Sequence, residues 1–170
     1  GIIMGTQGKT GLEKIIFGSI TAQVMVQAEC PVLGIPAGNF FHGIRRIAYA
    51  TDYEESDLDA IEVLAGLAGP FDAEIVVLHI AKESDSAIES ARFAAHAEAI
   101  REAIDYPKLQ FHLLRRPHLQ EALEEFMDRA SVDVLTMCSK KRGLFGQLFY
   151  GSETRKMAYH TKKPLLALHH

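Results

Sequence analysis

The sequence predicts an α/β protein of the doubly wound type, in which helices cover both faces of a parallel sheet. Short apolar runs alternate with longer segments of helical periodicity over residues 44–170. One of these runs, Ile75–Ile80, is apolar nearly throughout, as a parallel strand covered on both faces must be. In addition, the pattern of residues 18–36 returns at residues 151–169, where Gly18-Ser19 is matched by Gly151-Ser152 at an offset of 133 residues.

Composition and charge restrict the class of protein. The chain has 170 residues, of which 48% are hydrophobic and 24% are charged, so it can bury a sizeable core. Its formal net charge of −4 gives no electrostatic reason to expect nucleic acid or an anionic membrane as partner. No apolar run approaches the ~18 residues of a membrane span. Cys30 and Cys138 lie far apart without metal or redox spacing, which predicts a cytoplasmic protein.

The first residues predict a strand, a glycine-rich turn and a helix. Ile2–Met4 is a short apolar run, and Ile20, Val24 and Ala28 recur behind the turn at helical spacing, with Ser19 placed to cap the helix. Glycines allow backbone N–H groups to approach a phosphate, and a helix N-terminus offers unpaired donors and partial positive charge. The segment therefore predicts an anion-binding loop.

The spacing of the glycines distinguishes between the known phosphate-binding motifs. A Walker A motif would need glycine where Ile3 stands, and the dinucleotide fingerprint G-x-G-x-x-G is absent. The spacing that does fit is G-x2-G-x9-G-S, at Gly5, Gly8, Gly18 and Ser19. With its flanking residues, this segment resembles the C-terminal third of the universal stress protein family and its nucleotide-binding signature. The competing interpretation is a tight glycine turn that holds no ligand.

The repeat predicts the organisation of the chain. We expect residues 1–36 to be the C-terminal part of one universal-stress-like copy, residues 37–43 a linker and residues 44–170 a complete second copy. A domain that began at its fourth strand would lack that strand's neighbours, so we interpret the chain as a piece of a tandem protein. Whether Gly1 and His169-His170 are native stays open. In the linker, Phe40-Phe41 is expected to pack on a domain face.

Each element of the second copy has a local signal. Ser56 and Asp59 suggest a capping box at the first helix, and Pro107 ends the second helix because it forces Tyr106 out of helical geometry. The predicted elements in order are strand Ile47–Thr51, a helix from Ser56, strand Ile75–Ile80, helix Ala87–Ile104, strand Leu109–Leu114, a helix striped by Leu119, Leu123, Phe126 and Ala130, strand Val132–Met137, a helix after Ser152, and strand Leu165–Leu168.

The family resemblance implies further detail. It implies five parallel strands in the order 3-2-1-4-5, with the ligand beyond the carboxyl ends of strands one and four. It places Asp52 beside the nucleotide, although a turn residue ahead of the first helix is an equally good interpretation. The second copy departs from the family pattern, because Met137 and Lys140 stand where the first copy has glycines. The cations of Lys140–Arg142 are interpreted either as a solvated basic loop or as an anion site.

The function that these features predict is a universal-stress-like binding module that responds to adenine nucleotide, with a degenerate second copy. No catalytic residue and no metal ligand is predicted, and His79 is interpreted as a hydrogen-bonded core or rim histidine. We expect a longer protein that contains both complete copies to be able to bind ATP, whereas this chain would bind ATP weakly or not at all. The alternatives are a structural or dimerisation module that binds no nucleotide and a weak ATPase or phosphotransferase.

The last strands predict the assembly. Both copies end in a short apolar strand that begins with proline, Pro31–Ile35 and Pro164–Leu168. Such strands expose unpaired backbone groups unless another strand covers them. The resemblance implies that they pair antiparallel, within one chain as a pseudo-dimer or between chains as a homo-oligomer. The edge of Ile2–Met4 is expected to be covered by another chain.

Overall fold

The fold is known from a computed structural model, which describes residues 1–5, 19–81, 87–138 and 163–169. The chain divides into two compact units, a first unit of residues 1–42 and 134–170 and a second unit of residues 43–133. The elements in chain order are β1 (Ile2–Gly5), α1 (Ser19–Gln27), β2 (Val32–Ile35), β3 (Arg46–Ala50), α2 (Asp57–Ala68), β4 (Glu74–Ala81), α3 (Ala87–Ala103), β5 (Leu109–Arg115), α4 (Leu119–Arg129), β6 (Val134–Cys138) and β7 (Leu165–Leu168).

In the first unit the strands lie in the order β1-β2-β7-β6. β1 is parallel to β2 and β6 is parallel to β7, while β2 and β7 are antiparallel, with Leu33 opposite Leu166. The predicted antiparallel pairing of the two last strands is therefore confirmed, and it occurs within one chain. The pairing satisfies the backbone groups along the facing edges of β2 and β7.

The helix of the first unit turns a different face inward from the one predicted. Thr21, Ala22 and Met25 are buried, whereas Ile20 is 70% exposed, so the stripe that begins at Ile20 is not the buried face. The Thr21 hydroxyl donates a hydrogen bond to the carbonyl of Gly5 over 3.2 Å. Because that bond joins the end of β1 to the first turn of α1, it turns the Thr21 side of the helix toward the strands.

The second unit is a continuous β–α–β–α–β–α run. Its three strands are parallel and adjacent in the order β3-β4-β5, with Ala50 opposite Leu78 and Ile75 opposite Leu109. Ile75 to Leu78 are fully buried or nearly so, as the apolar run predicts. The unit confirms the α/β class with a parallel-dominated sheet and intervening helices. It also brings the carboxyl ends of β3 and β4 together at one edge of the sheet.

Three details of the sequence interpretation are wrong. A five-stranded parallel sheet is expected, whereas the described residues contain seven strands, and in the first unit β2 and β7 form an antiparallel pair. Ser56 precedes α2 but makes no side-chain cap, since its backbone is already helical and its hydroxyl points into the interior. Phe40 and Phe41 are 80% and 74% exposed, so neither is buried against a domain face.

Candidate functional site

The predicted anion-binding loop is described only at its two ends. Gly5 ends β1, the backbone of Ser19 begins α1, and the Thr21 hydrogen bond to the Gly5 carbonyl joins them. Gly8 and Gly18 lie outside the described residues. A Cβ added at Gly5 would meet no atom within 4 Å, so nothing described there requires glycine for close packing. The strand and the helix that a phosphate loop must connect are thus in contact, as the prediction needs.

Asp52 lies at the carboxyl end of β3, in the second unit, and is partly buried. Burial raises the pKa of its carboxyl above 3.8, and the neighbouring Glu54 acts in the same direction, while His79 and Arg92 oppose the shift. Gly5 belongs to the first unit, so neither unit alone contains the complete predicted set.

Behind Asp52 lies a buried carboxylate that the sequence interpretation missed. Asp57, 1% exposed, begins α2 and accepts hydrogen bonds from three side chains. The Tyr49 hydroxyl donates over 2.6 Å, His96 Nε2 lies 2.9 Å from the other oxygen, and the Thr51 hydroxyl donates to that same oxygen. Asp57 therefore connects β3, α2 and α3.

These hydrogen bonds determine the charge state of Asp57. Burial by itself would raise the pKa of the carboxyl, but the hydrogen bonds from His96, Thr51 and Tyr49 outweigh burial and hold the pKa below its ordinary 3.8. The group is therefore an ionised carboxylate at neutral pH. A buried carboxylate needs such donors, since an unpaired charge in the interior is strongly unfavourable.

His79 is placed by two acceptors on opposite sides of its ring. Its Nδ1 lies 2.8 Å from the Thr51 carbonyl, which only accepts, so Nδ1 carries a proton. Its Nε2 lies 3.3 Å from a carboxylate oxygen of Glu89 in the first turn of α3. The interpretation of His79 as a buried, hydrogen-bonded histidine is confirmed.

The ring of Tyr53 packs against His79 and the residues around it. Its backbone is left-handed, with φ of 58°, and its N–H donates to the Thr51 hydroxyl over 3.0 Å. Its ring stacks on His79 with centroids 4.1 Å apart and an angle of 30° between planes, and the Arg92 guanidinium lies 4.4 Å from the ring centre. The rings of Phe93 and His96 make edge-to-face contacts with it, with centroids 6.5 and 5.3 Å from its own.

The phenol of Tyr53 is held neutral. Burial, followed by the neighbouring Glu89 carboxylate, raises its pKa above the ordinary 10.0. Arg92 opposes this shift without reversing it. The ring is thus an uncharged planar group held between an imidazole and a guanidinium.

The described residues contain no group of three His, Cys, Asp or Glu side chains able to hold a metal ion. Nor do they contain a helix long and apolar enough to cross a membrane. The network of Asp57 and Tyr53 brings into contact residues up to 45 positions apart in sequence. The one local signal for it was the cluster of polar residues directly after the strand that ends at Ala50.

The comparisons with family models, known sequences and solved structures all lead to the same family. The model of the universal stress protein family matches residues 2–36 and 43–169. A universal stress protein of Methanocaldococcus jannaschii is 59% identical over 32 residues, which is 19% of each chain. The structure of a universal stress protein from Archaeoglobus fulgidus is similar over 98% of this chain, with 18% identity and a TM-score of 0.71. This chain covers 59% of that longer one.

Two further solved structures carry nucleotides. A universal stress protein in complex with cAMP is similar over 75% of this chain and 98% of its own, with 17% identity and a TM-score of 0.57. One from Archaeoglobus fulgidus in complex with dAMP is similar over 73% of this chain and 97% of its own, with 17% identity and a TM-score of 0.54. At such identities the similarity concerns the fold. Since the family model matches both stretches of the sequence, this chain belongs to the universal stress protein family.

Proposed function

We propose that this chain is a cytoplasmic adenine-nucleotide-responsive binding module, not an enzyme, whose phosphate loop lies in residues 1–36. The observation that carries the proposal is the contact between the end of β1 and the first turn of α1, made by Thr21 and the Gly5 carbonyl. An anion-binding loop requires a strand before it and a helix N-terminus after it, and this contact joins the strand and the helix that flank the G-x2-G-x9-G-S segment. The family members in complex with cAMP and dAMP support an adenine nucleotide as ligand.

The proposed organisation is one partial copy, residues 1–36, and one complete copy, residues 44–170, joined by residues 37–43. It is supported by the offset of 133 residues and by the two separate stretches that the family model matches. The strand pairs agree with it, because β1 is parallel to β2 as β6 is parallel to β7. The order 3-2-1-4-5 within the complete copy is part of the same proposal.

The second copy is proposed to be degenerate for nucleotide. Its loop has lost two glycines and gained Lys140–Arg142, and the glycines of the first loop lack an acidic residue of their own copy. A nucleotide must outweigh the loss of its own freedom on binding, which half of a site does not readily supply. We therefore propose that ATP binds the longer parent protein and binds this chain weakly or not at all.

Calorimetry with ATP and with AMP on this chain and on the longer protein tests the proposal. We expect about one nucleotide per longer chain, at least tenfold weaker binding by the present chain, and loss of binding in Gly8→Lys of the longer protein. Gly66→Lys is the matched control, because Gly66 is exposed on α2 with open space around its Cα and takes the same charge. Tight binding by the present chain, or binding that survives Gly8→Lys, would contradict the proposal.

One observation favours a second candidate function, a structural or dimerisation module whose strands pair without any nucleotide. The pairing of β2 with β7 joins the ends of the two copies without any ligand. If this is the function, the longer protein will bind no nucleotide, and its oligomeric state will not change on addition of ATP. Release of ADP at steady state would instead identify the weak ATPase or phosphotransferase.

A further inference from the structure

The ring of Tyr53 lies beyond the carboxyl ends of β3 and β4, at the edge of the sheet on which open α/β sheets bind ligands. In open α/β sheets the ligand lies beyond the carboxyl ends of the strands. Tyr53 follows the end of β3 by three residues, and its ring lies on His79, which is two residues from the end of β4. All of these residues belong to the second unit.

The contacts of this ring are those that a planar heteroaromatic ligand would use. One face stacks on the His79 imidazole at 4.1 Å, the Arg92 guanidinium lies 4.4 Å from the ring centre, and the edges of Phe93 and His96 close two sides. Stacking on an imidazole and cation–π contact with a guanidinium are general means of holding a flat π-system. The partly buried carboxylate of Asp52 is adjacent in sequence and interacts electrostatically with both His79 and Arg92.

The backbone at Tyr53 indicates that the ring is held by these contacts and not by local preference. A φ of 58° is left-handed, a conformation that bulky residues rarely adopt and that glycine and asparagine tolerate. The turn itself is secured independently, since the Tyr53 N–H donates to the Thr51 hydroxyl. A smaller residue at position 53 can therefore keep the backbone while it removes the ring.

We propose that Tyr53 is a built-in occupant of a base-sized site in the second unit, which its ring closes to planar heteroaromatic ligands. This inference rests on the proposed function, in which the second copy is degenerate for nucleotide, and it adds a physical cause beyond the lost glycines. Removing the ring opens a site whose walls are His79, Arg92, Phe93 and His96. The ligand class is a nucleobase or nucleoside, because an imidazole and a guanidinium hold a flat π-system and the Asp52 carboxylate interacts electrostatically with both.

The test uses the full chain and adenosine, which has no phosphate to contact the first loop. All variants carry Gly8→Lys, so that binding cannot come from that loop. Tyr53→Gly relieves the left-handed backbone and removes the ring, and Tyr53→Phe is the matched control that keeps the ring. Calorimetry measures the affinity, and the imidazole signals of His79 and His96 in NMR spectra report the location.

We expect Tyr53→Gly to bind adenosine at least tenfold more tightly than Tyr53→Phe, with shifts of both histidine signals. Equal affinities, or binding that leaves the two histidines unmoved, would overturn the proposal. Tyr53→Asn is measured in parallel, because asparagine also tolerates this backbone. If neither small variant folds, the ring is a structural element of the core and the proposal is wrong. Failure of the proposed nucleotide loop in the first copy would appear as ATP binding by the longer protein that Gly8→Lys does not change, and it would leave this comparison intact, because every variant compared here carries Gly8→Lys.

Discussion

Replacing Asp57 by alanine tests whether the buried carboxylate holds β3, α2 and α3 together. The substitution removes the acceptor of Tyr49, Thr51 and His96 without inserting any new group. Tyr49 and Thr51 are completely buried, so water cannot replace the lost acceptor there, whereas His96 is partly exposed. The variant thus removes the carboxylate acceptor from two hydroxyl groups in the interior.

The magnitude follows from these two groups. A buried donor left without an acceptor costs about 1–3 kcal/mol, and removing one partner of a buried charged group costs about 3–5 kcal/mol. Relief of the desolvated charge offsets part of the loss. We expect the free energy of unfolding to fall by about 3–5 kcal/mol. With a urea slope of roughly 1–3 kcal/mol per molar, the midpoint should fall by roughly 1–5 M.

Urea unfolding followed by circular dichroism measures the change, and hydrogen exchange on β4 shows whether the second unit is the part affected. The control is Glu62→Ala, an exposed position of the same helix, for which we expect a change within about 0.5 kcal/mol. If Asp57→Ala loses less than about 1 kcal/mol, the three hydrogen bonds do not hold these elements together. The reasoning about the buried network would then be wrong.

The same carboxylate should give the protein a characteristic acid sensitivity. Because the pKa of Asp57 is below 3.8 in the folded state, the unfolded chain binds more protons between the two values, and stability rises with pH there. The contribution is present above pH 3.8 and is lost as the pH falls through the folded value. Asp57→Asn has no such proton to bind, so its stability should change less with pH below 3.8 than that of the wild type.

Three further outcomes are expected. The raised pKa of the Tyr53 phenol contributes stability that is present below pH 10.0 and is lost as the pH rises through the higher folded value, so the stability of Tyr53→Phe should fall less above pH 10.0 than that of the wild type. Amides of Leu33 and Leu166 should exchange slowly because β2 and β7 pair, and fast exchange at both would contradict that pairing. Deletion of residues 1–36 should lower the number of chains per assembly without unfolding residues 44–169. An unchanged number of chains would show that the segment takes no part in assembly.

Local sequence determined the class of fold and the positions of its strands. Apolar runs with turn signals predict strands within about two residues of their observed ends, because burial on both faces leaves few polar residues in a parallel strand. The repeat of Gly18-Ser19 at Gly151-Ser152 predicted a second copy, and the family resemblance implied the antiparallel pairing of the two proline-led strands. The strand and repeat signals are each contained in a short stretch or in a comparison of the chain with itself.

Where the prediction failed, a distant group had changed the role of a residue. Ser56 and Asp59 have the spacing of a capping box, yet Asp57 between them is buried because Tyr49 and His96 supply it with donors. Ile20 has the helical spacing of a core residue, yet the hydrogen bond from Thr21 to Gly5 turns another face inward. Periodicity describes which residues share a face, and it does not say which face is covered.

The site in the second unit depended on tertiary structure for the same reason. Asp52 was identified because it follows a strand. The sequence around Asp52 contains no signal that His79 and Arg92 hold the ring of the adjacent Tyr53. Those residues lie 26 and 39 positions further along the chain and meet only through the register of β3 on β4 and the packing of α3. Sequence determines which side chains are available at the carboxyl ends of the strands. The distances that decide their protonation and their access to a ligand arise only when the strands and helices have packed.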